Sequence, residues 1–291
     1  MTEQVLQFII SGITVGSIYA LVGLGFTIIY NASDVVNFSQ GEFVMIGGIS
    51  SAFFVATGIP MIIAIIMAII LTILVGLALN QFAIKPAKGA SVVTTIIITI
   101  GASIFLRGAA LLIWGKDFYS LPAFSGENPI HIGSATILPQ NLWVIGIATI
   151  LVIAVLWFFN HTLLGKAVLA CSCNRTAAQL VGINIGIMLL LSYGLSAMLG
   201  ALAGVLIVPV TFTSYDAGVM LGLKGFSAAI LGGIGNPIGA VVGGVLLGLL
   251  ESFGAGFISS GYKDALAFAI ILLVLFIRPS GLMGKTSQER V

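Results

Sequence analysis

An all-α, polytopic membrane protein of about eight transmembrane helices, with broken or re-entrant segments, is the fold the sequence predicts. Three observations predict it. Of the 291 residues, 59% are hydrophobic and only 7% are charged, and the mean hydropathy is +1.21. Soluble domains carry about 25% charged residues, so no soluble fold could hide this much apolar surface. Apolar runs of the ~20 residues that cross a bilayer recur along the whole chain. Two of these runs are interrupted, at Asn37-Phe38-Ser39-Gln40-Gly41-Glu42 and at Gly232-Gly233-Ile234-Gly235-Asn236-Pro237. Polar and ionisable groups are expensive in hydrocarbon and are retained where they line a pathway or pair with something. A permeation route is therefore the first functional idea.

The chain reads as a single transmembrane domain, 1–291, with spans at 5–30, 35–57, 59–84, 91–114, 140–160, 187–208, 223–257 and 264–277. The first follows Glu3 and no basic residue, and it is too long for the apolar core of a secretory signal, so it reads as a retained span. The second carries Asn37, Ser39, Gln40, Gly41 and Glu42, which suit a helix that unwinds at membrane depth. The fourth carries Arg107, seven residues from Trp114, close enough to snorkel or to pair; Glu251 is its expected partner. The seventh reads as a short half-helix, 223–231, then a turn at Gly232, Gly233, Gly235 and Asn236, then a longer helix. Its function-free reading is close helix packing. Its functional one is a set of free N–H groups turned toward a carboxylate. The 37 glycines fit helices that approach closely, since lipid tails give no hydrophobic push between them.

Lysines and arginines set the orientation. Lys85 and Lys88, Lys166 and Arg175, and Arg278, Lys285 and Arg290 fall on one side if the N-terminus is outside and the C-terminus cytoplasmic. The 115–139 loop, with Lys116, Asp117, Glu127 and His131, then faces outward between the interfacial anchors Trp114, Tyr119 and Trp143. The inner loop, about 161–186, reads as a short amphipathic helix capped by Asn174 and ended by Gly182. A net charge of +2 does not suggest nucleic acid. Cys171 and Cys173, one residue apart, make a poor disulfide and half a zinc site, so no metal is expected.

Four stretches together carry a resemblance. They are Gly16-Ser17-Ile18-Tyr19-Ala20-Leu21 leading to Gly25-Phe26-Thr27-Ile28-Ile29-Tyr30; Val36-Asn37-Phe38-Ser39-Gln40-Gly41-Glu42-Phe43; Leu180-Val181-Gly182-Ile183-Asn184; and Gly222-Leu223-Lys224-Gly225-Phe226 through Ala229-Ile230-Leu231-Gly232-Gly233-Ile234-Gly235 to Gly239-Ala240. With the ending Arg278-Pro279-Ser280-Gly281-Leu282-Met283-Gly284, the chain resembles the permease subunits of branched-chain amino acid ABC importers. Gln40 stands where the family often has His. The resemblance implies a bacterial inner-membrane subunit that pairs with a second homologous permease as a heterodimer. It also implies two cytoplasmic ABC ATPases that bind the ATP and a periplasmic amino-acid-binding protein. The chain has no Walker A pattern, needs no cofactor of its own and is not expected to be an enzyme. The same resemblance places ATPase coupling on the inner helix, at Lys166, Arg175, Ala178, Leu180, Gly182 and Asn184.

Other functions compete. A ribose-type sugar permease needs several aromatic and amide groups, of which the expected pathway helices contain few. A channel built from two half-helices is suggested by Asn236-Pro237, but Asn37 is followed by phenylalanine. An ion-driven carrier keeps acidic residues deep in several helices, and here Glu42 is the one convincing case.

Overall fold

The protein is described by a computed structural model covering residues 2–87, 89–126, 128–132 and 135–284. Lys88, Glu127, Lys285 and Arg290 lie outside the described residues. Helix α1 (Thr2–Ser33) is followed by α2 (Gln40–Ala56), α3 (Met61–Leu79) with a π turn at Asn80–Ile84, and α4 (Val92–Trp114). A small antiparallel hairpin, β1 (Ile130–Ile132) and β2 (Ala135–Ile137), leads into α5 (Pro139–His161). Then come α6 (Leu163–Cys173), α7 (Arg175–Leu180), α8 (Ile185–Ile207), α9 (Ala217–Gly232), α10 (Pro237–Phe257) and α11 (Lys263–Ile277). Among the described residues seven helices are long and apolar enough to cross a membrane; α2 and α9 are shorter. The all-α, multi-span expectation holds.

Helix starts follow local chemistry. Ser91 accepts from Thr94 N at the head of α4, Thr162 from Gly165 N at α6, and Asn174 from Ala177 N at α7. Each side-chain oxygen satisfies one of the N–H groups that a first turn leaves without a partner. Pro139 and Pro237 sit in the first turns of α5 and α10, where no N–H is needed.

α1 is the central element and packs along α10, α8 and α9. It meets α10 antiparallel through glycines: Gly12 and Gly16 lie against the backbone of Gly248, Leu249, Gly244 and Val245. α2 runs parallel to α8 in the same manner, Gly47 against Ala201 and Gly204 against Val44. Small residues permit this approach, and van der Waals packing then holds the helices. Large side chains such as Phe105, Leu112, Trp157 and Phe276 point outward, as an apolar surrounding requires.

Two expected spans are redrawn. The 35–57 stretch is not continuous: residues 34–39 are non-helical and α2 starts only at Gln40, so it covers about 25 Å. Asp34 turns the chain at φ 54°, the one non-glycine residue with positive φ among those described. The 223–257 stretch is two antiparallel helices, and the first begins at Ala217 rather than Leu223. Gly232 packs on Gly239 and Gly243 on Ala228, so α9 and α10 form an antiparallel hairpin.

Packing at Gly16 gives a direct test. A Cβ there would lie 2.8 Å from Val245 Cα and 2.9 Å from Gly244 O, whereas one at Gly101 in α4 meets nothing within 4 Å. Gly16→Ala is expected to lower stability by about 1–3 kcal/mol through overpacking. Gly101→Ala should be neutral or raise it by up to about 1 kcal/mol through helix propensity. Thermal unfolding of the two purified variants measures both.

Candidate functional site

The stretch Asn37 to Glu42 re-enters the helix bundle from the end where α1 stops. Its backbone needs partners there, because unpaired N–H and C=O groups are costly without water. Phe38 N donates to Thr99 Oγ1 at 3.2 Å, Ser39 N to Asn37 Oδ1 at 3.2 Å, and Gln40 N to Asn37 O at 3.2 Å. The Ser39 hydroxyl donates to Thr99 O at 2.8 Å. Gln40 Nε2 donates to Ser196 O, and the Ser196 hydroxyl sits between Gln40 Oε1 and Gly25 O. The Gln40 amide occupies the space a side chain at Gly25 would fill. α1, α2, α4 and α8 are thus tied at one depth, about 12 Å from the end of α1. Gly41 lies directly on Gly218 and Gly222 of α9. Asn37, Ser39 and Gln40 are fully buried.

Glu42 sits in the first turn of α2, where the helix dipole favours a carboxylate. It is 1% exposed. Its Oε1 accepts from Ser103 Oγ at 2.8 Å and lies 3.7 Å from Arg107 Nε, while Oε2 has no hydrogen-bond partner. Arg107 therefore pairs with Glu42 and not, as expected, with Glu251. Residues 42, 103 and 107 come together because α4 crosses α2 at this level, four residues separating the two α4 side chains so that they share a face. The acid and base open into a cavity of about 190 Å³ whose other walls include Phe26, Phe38, Ile100, Leu223 and Phe226.

Glu251 belongs to a second cluster that the sequence reading missed. Lys224 Nζ is 2.8 Å from Glu251 Oε1 and 2.7 Å from Asp264 Oδ1. Tyr19 OH donates to Glu251 Oε2 at 2.7 Å, and Lys263 stands 3.5 Å from Oε1. The cluster joins α1, α9, α10 and α11, and every charge in it has an opposite neighbour, which marks it as a staple. The signal was present in the sequence: Lys224 is the lone cation of the 223–257 stretch and Glu251 its lone acid, at positions that an antiparallel hairpin brings level.

Gly232, Gly233, Gly235 and Asn236 do not join Glu42. They form the α9–α10 break at the end of the bundle where α1 stops, with Gly235 against Tyr30 and Asn31. Gly233 and Gly235 take φ of 105° and 89°, a region open to glycine at little cost. Asn236 Oδ1 caps Ile238 and Gly239, and its Nδ2 donates to Met283 O. Leu282 N and Met283 N donate to the last carbonyls of α9, Leu231 O and Gly232 O, both at 2.9 Å. The helix-end groups here are taken up by the chain's own tail.

The inner loop is two helices rather than one. Asn174 caps α7, Gly182 ends it at φ 86°, and Asn184 caps α8. Ala178 is buried, whereas Leu180 and Val181 are 84% and 76% exposed. Lys166 lies on α6. Arg175 Nη2 donates to Ala32 O at 3.1 Å and is 3.2 Å from Asp34 Oδ2, so α7 touches the turn from which the re-entrant segment begins. Cys171 is buried, and burial pushes its thiol upward against the opposing charge of Arg175. Among the described residues no group of three His, Cys, Asp or Glu could hold a metal.

The staple is testable on its own. Lys224→Met leaves the buried Glu251 carboxylate short of a partner, and the expected loss of stability is about 3–5 kcal/mol. Lys224→Met combined with Glu251→Met should recover most of that loss. Thermal unfolding of both single variants and the double closes the cycle.

Residues 8–275 match the family of branched-chain amino acid transport system permease components. The high-affinity branched-chain amino acid transport system permease protein LivH of Escherichia coli (strain K12) is 32% identical over a 311-residue alignment covering all of both chains. The corresponding protein BraD of Pseudomonas aeruginosa is 33% identical over 301 residues, 98% of each chain. The ribose import permease protein RbsC of Escherichia coli (strain K12) is 25% identical, covering 90% of this chain and 82% of that one. The re-entrant segment, the α9–α10 hairpin and the capped inner helices all fall inside the matched span, and the chain belongs to the branched-chain amino acid transport system permease family.

Proposed function

We propose that this chain is the translocating subunit of an ATP-driven importer for branched-chain or other hydrophobic amino acids, working beside a second, homologous permease. Two cytoplasmic ABC ATPases bind the ATP, a periplasmic binding protein delivers the solute, and the chain itself catalyses no covalent step. The pathway runs past the re-entrant segment, Asn37 to Glu42, on the face between α4 and α9. Apolar walls at Phe26, Ile100 and Leu223 support an amino acid over a sugar. The capping work of Asn236 speaks against a channel built on Asn236-Pro237.

The single observation carrying this reading is the tie from Arg175 to Ala32 and Asp34. It connects a short helix bearing exposed apolar Leu180 and Val181, suited to seat in a partner, with the turn that positions Glu42. Displacing α7 pulls on the one non-helical segment that enters the bundle beside the cavity. In this role Lys166, Ala178, Gly182 and Asn184 shape the coupling surface, and Gly232, Gly233, Gly235 and Asn236 brace the same end. Energy from ATP then biases two arrangements of the pathway, because a partner shifts an equilibrium only through differential contacts with its two states.

Orientation follows from the positive charges: Lys85, Lys166, Arg175 and Arg278 lie at the end where α1 stops, which is cytoplasmic in this reading. Cys173 is exposed at that end. A membrane-impermeant maleimide should label it in inside-out vesicles and leave it unlabelled in right-side-out ones.

Coupling is tested by Arg175→Ala in the complete transporter reconstituted in proteoliposomes. Uptake of L-leucine is expected to fall at least about fivefold while nucleotide hydrolysis continues, the loss of a coupling energy of ordinary size. Undiminished uptake would overturn the coupling role, and uptake of ribose in place of leucine would overturn the substrate class.

A further inference from the structure

We infer that the cavity at Glu42 and Arg107 is a binding site within the permease itself for the free amino acid as a zwitterion. This rests on the amino-acid reading above and names where the solute is held. The α-ammonium sits on Glu42 Oε2, the α-carboxylate on Arg107, and the aliphatic side chain against Phe26, Phe38 and Phe226.

Four observations carry it. First, Glu42 is 1% exposed, yet its Oε2 accepts no hydrogen bond, while Oε1 is held by Ser103 at 2.8 Å. A buried carboxylate oxygen without a donor is costly; this one packs against Gly218 with almost no accessible surface, so a donor in the cavity reaches it when the Glu42 side chain turns toward the opening. Second, Arg107 stands 3.7 Å from the same carboxylate through Nε, too long for a hydrogen bond, and Nε has no partner. Guanidinium groups grip carboxylates by two parallel N–H bonds, and this one, 31% exposed, meets Glu42 without making that grip. Third, the two charges lie side by side with opposite sign, the arrangement an α-amino acid presents in reverse. A lone cation or a lone anion would satisfy one and leave the other.

The fourth observation is the wall. Phe226 lies 5.6 Å from Phe26 and 5.4 Å from Phe38 between ring centroids. The three rings, with Leu223 and Ile100, make the rest of the cavity apolar. The volume of about 190 Å³ suits one small molecule with a branched aliphatic tail. Gly218 and Gly222 on the α9 side keep α9 close enough to close the site, since a side chain at Gly218 would press on Glu42 Oε2. The contrast with the Lys224–Glu251 staple is direct: there the opposite charges meet at 2.7–2.8 Å, and here they meet at 3.7 Å beside a cavity.

The test uses the transporter assembled with its second permease and ATPases in nanodiscs, without the binding protein, so that the permease alone does the selecting. Equilibrium binding of tritiated L-leucine is measured against two competitors, isocaproate, which lacks the ammonium, and isoamylamine, which lacks the carboxylate. In the wild-type complex both should compete at least about tenfold more weakly than unlabelled L-leucine. Glu42→Gln should weaken L-leucine about tenfold and leave isocaproate unchanged. Arg107→Gln should weaken L-leucine similarly and leave isoamylamine unchanged. Equal competition by all three ligands, unaltered leucine binding in both variants, or a loss in Glu42→Gln that is the same for isocaproate overturns the site. The competitor series in the wild type needs no variant to fold. Leucine uptake by the same wild-type complex with its binding protein separates the two claims: uptake with no zwitterion selectivity sinks this inference alone, and absent uptake sinks the reading beneath it.

Discussion

A backbone that leaves helical form inside hydrocarbon must find every hydrogen bond in its immediate neighbours. That constraint governs residues 34–39 and, through them, much of the bundle. Thr99 supplies both a hydroxyl and a carbonyl, Asn37 folds its amide back to Ser39, and Gln40 reaches Ser196 through a gap that exists because residue 25 is glycine. Remove any of these and the chain has no reason to begin α2 at mid-depth. Because it does begin there, an acidic first turn is presented beside α4 and α9 in place of a featureless apolar helix.

The two buried charge clusters show opposite solutions to one cost. Lys224, Glu251, Asp264 and Tyr19 neutralise one another across four helices. Charge buried beside opposite charge fixes the register of the elements that carry it, and this cluster sets α9, α10 and α11 against α1. Glu42 and Arg107 are held more loosely and share a cavity. A group kept short of partners retains the capacity to bind, which is the ordinary meaning of an ionisable residue inside a membrane protein.

Much of this was legible in residues. The low charge and recurrent apolar runs sufficed for the fold class, Asn174 and Gly182 for the limits of α7, and the glycine cluster at Gly232 for the break. Three things were not. The 35–57 run looks continuous because Val35 and Val36 are as apolar as any span, and the turn is marked by Asp34, the one non-glycine residue with positive φ among those described. The start of α9 at Ala217 was hidden because residues 217–222 are apolar without being periodic. The pairing of Arg107 was misassigned because depth along a helix can be counted from sequence while the facing neighbour cannot. Lys224 settles Glu251 only once α9 and α10 are known to be antiparallel. The inner loop was read as one helix because α6 runs to within two residues of α7, with only the Asn174 cap between them, and the outer hairpin was missed because three-residue strands leave too short a pattern to read.

The glycine contact between α1 and α10 has a consequence for how the molecule is made. α1 leaves the ribosome well before α10, with more than two hundred residues between the surfaces that meet. During synthesis the notched face of α1, and the Tyr19 hydroxyl on it, must wait in lipid or against a provisional neighbour. The last carbonyls of α9 likewise wait until residues 282 and 283 arrive to bond them. Assembly of the α9 end is therefore completed late, and loss of residues 282 and 283 strikes at that step.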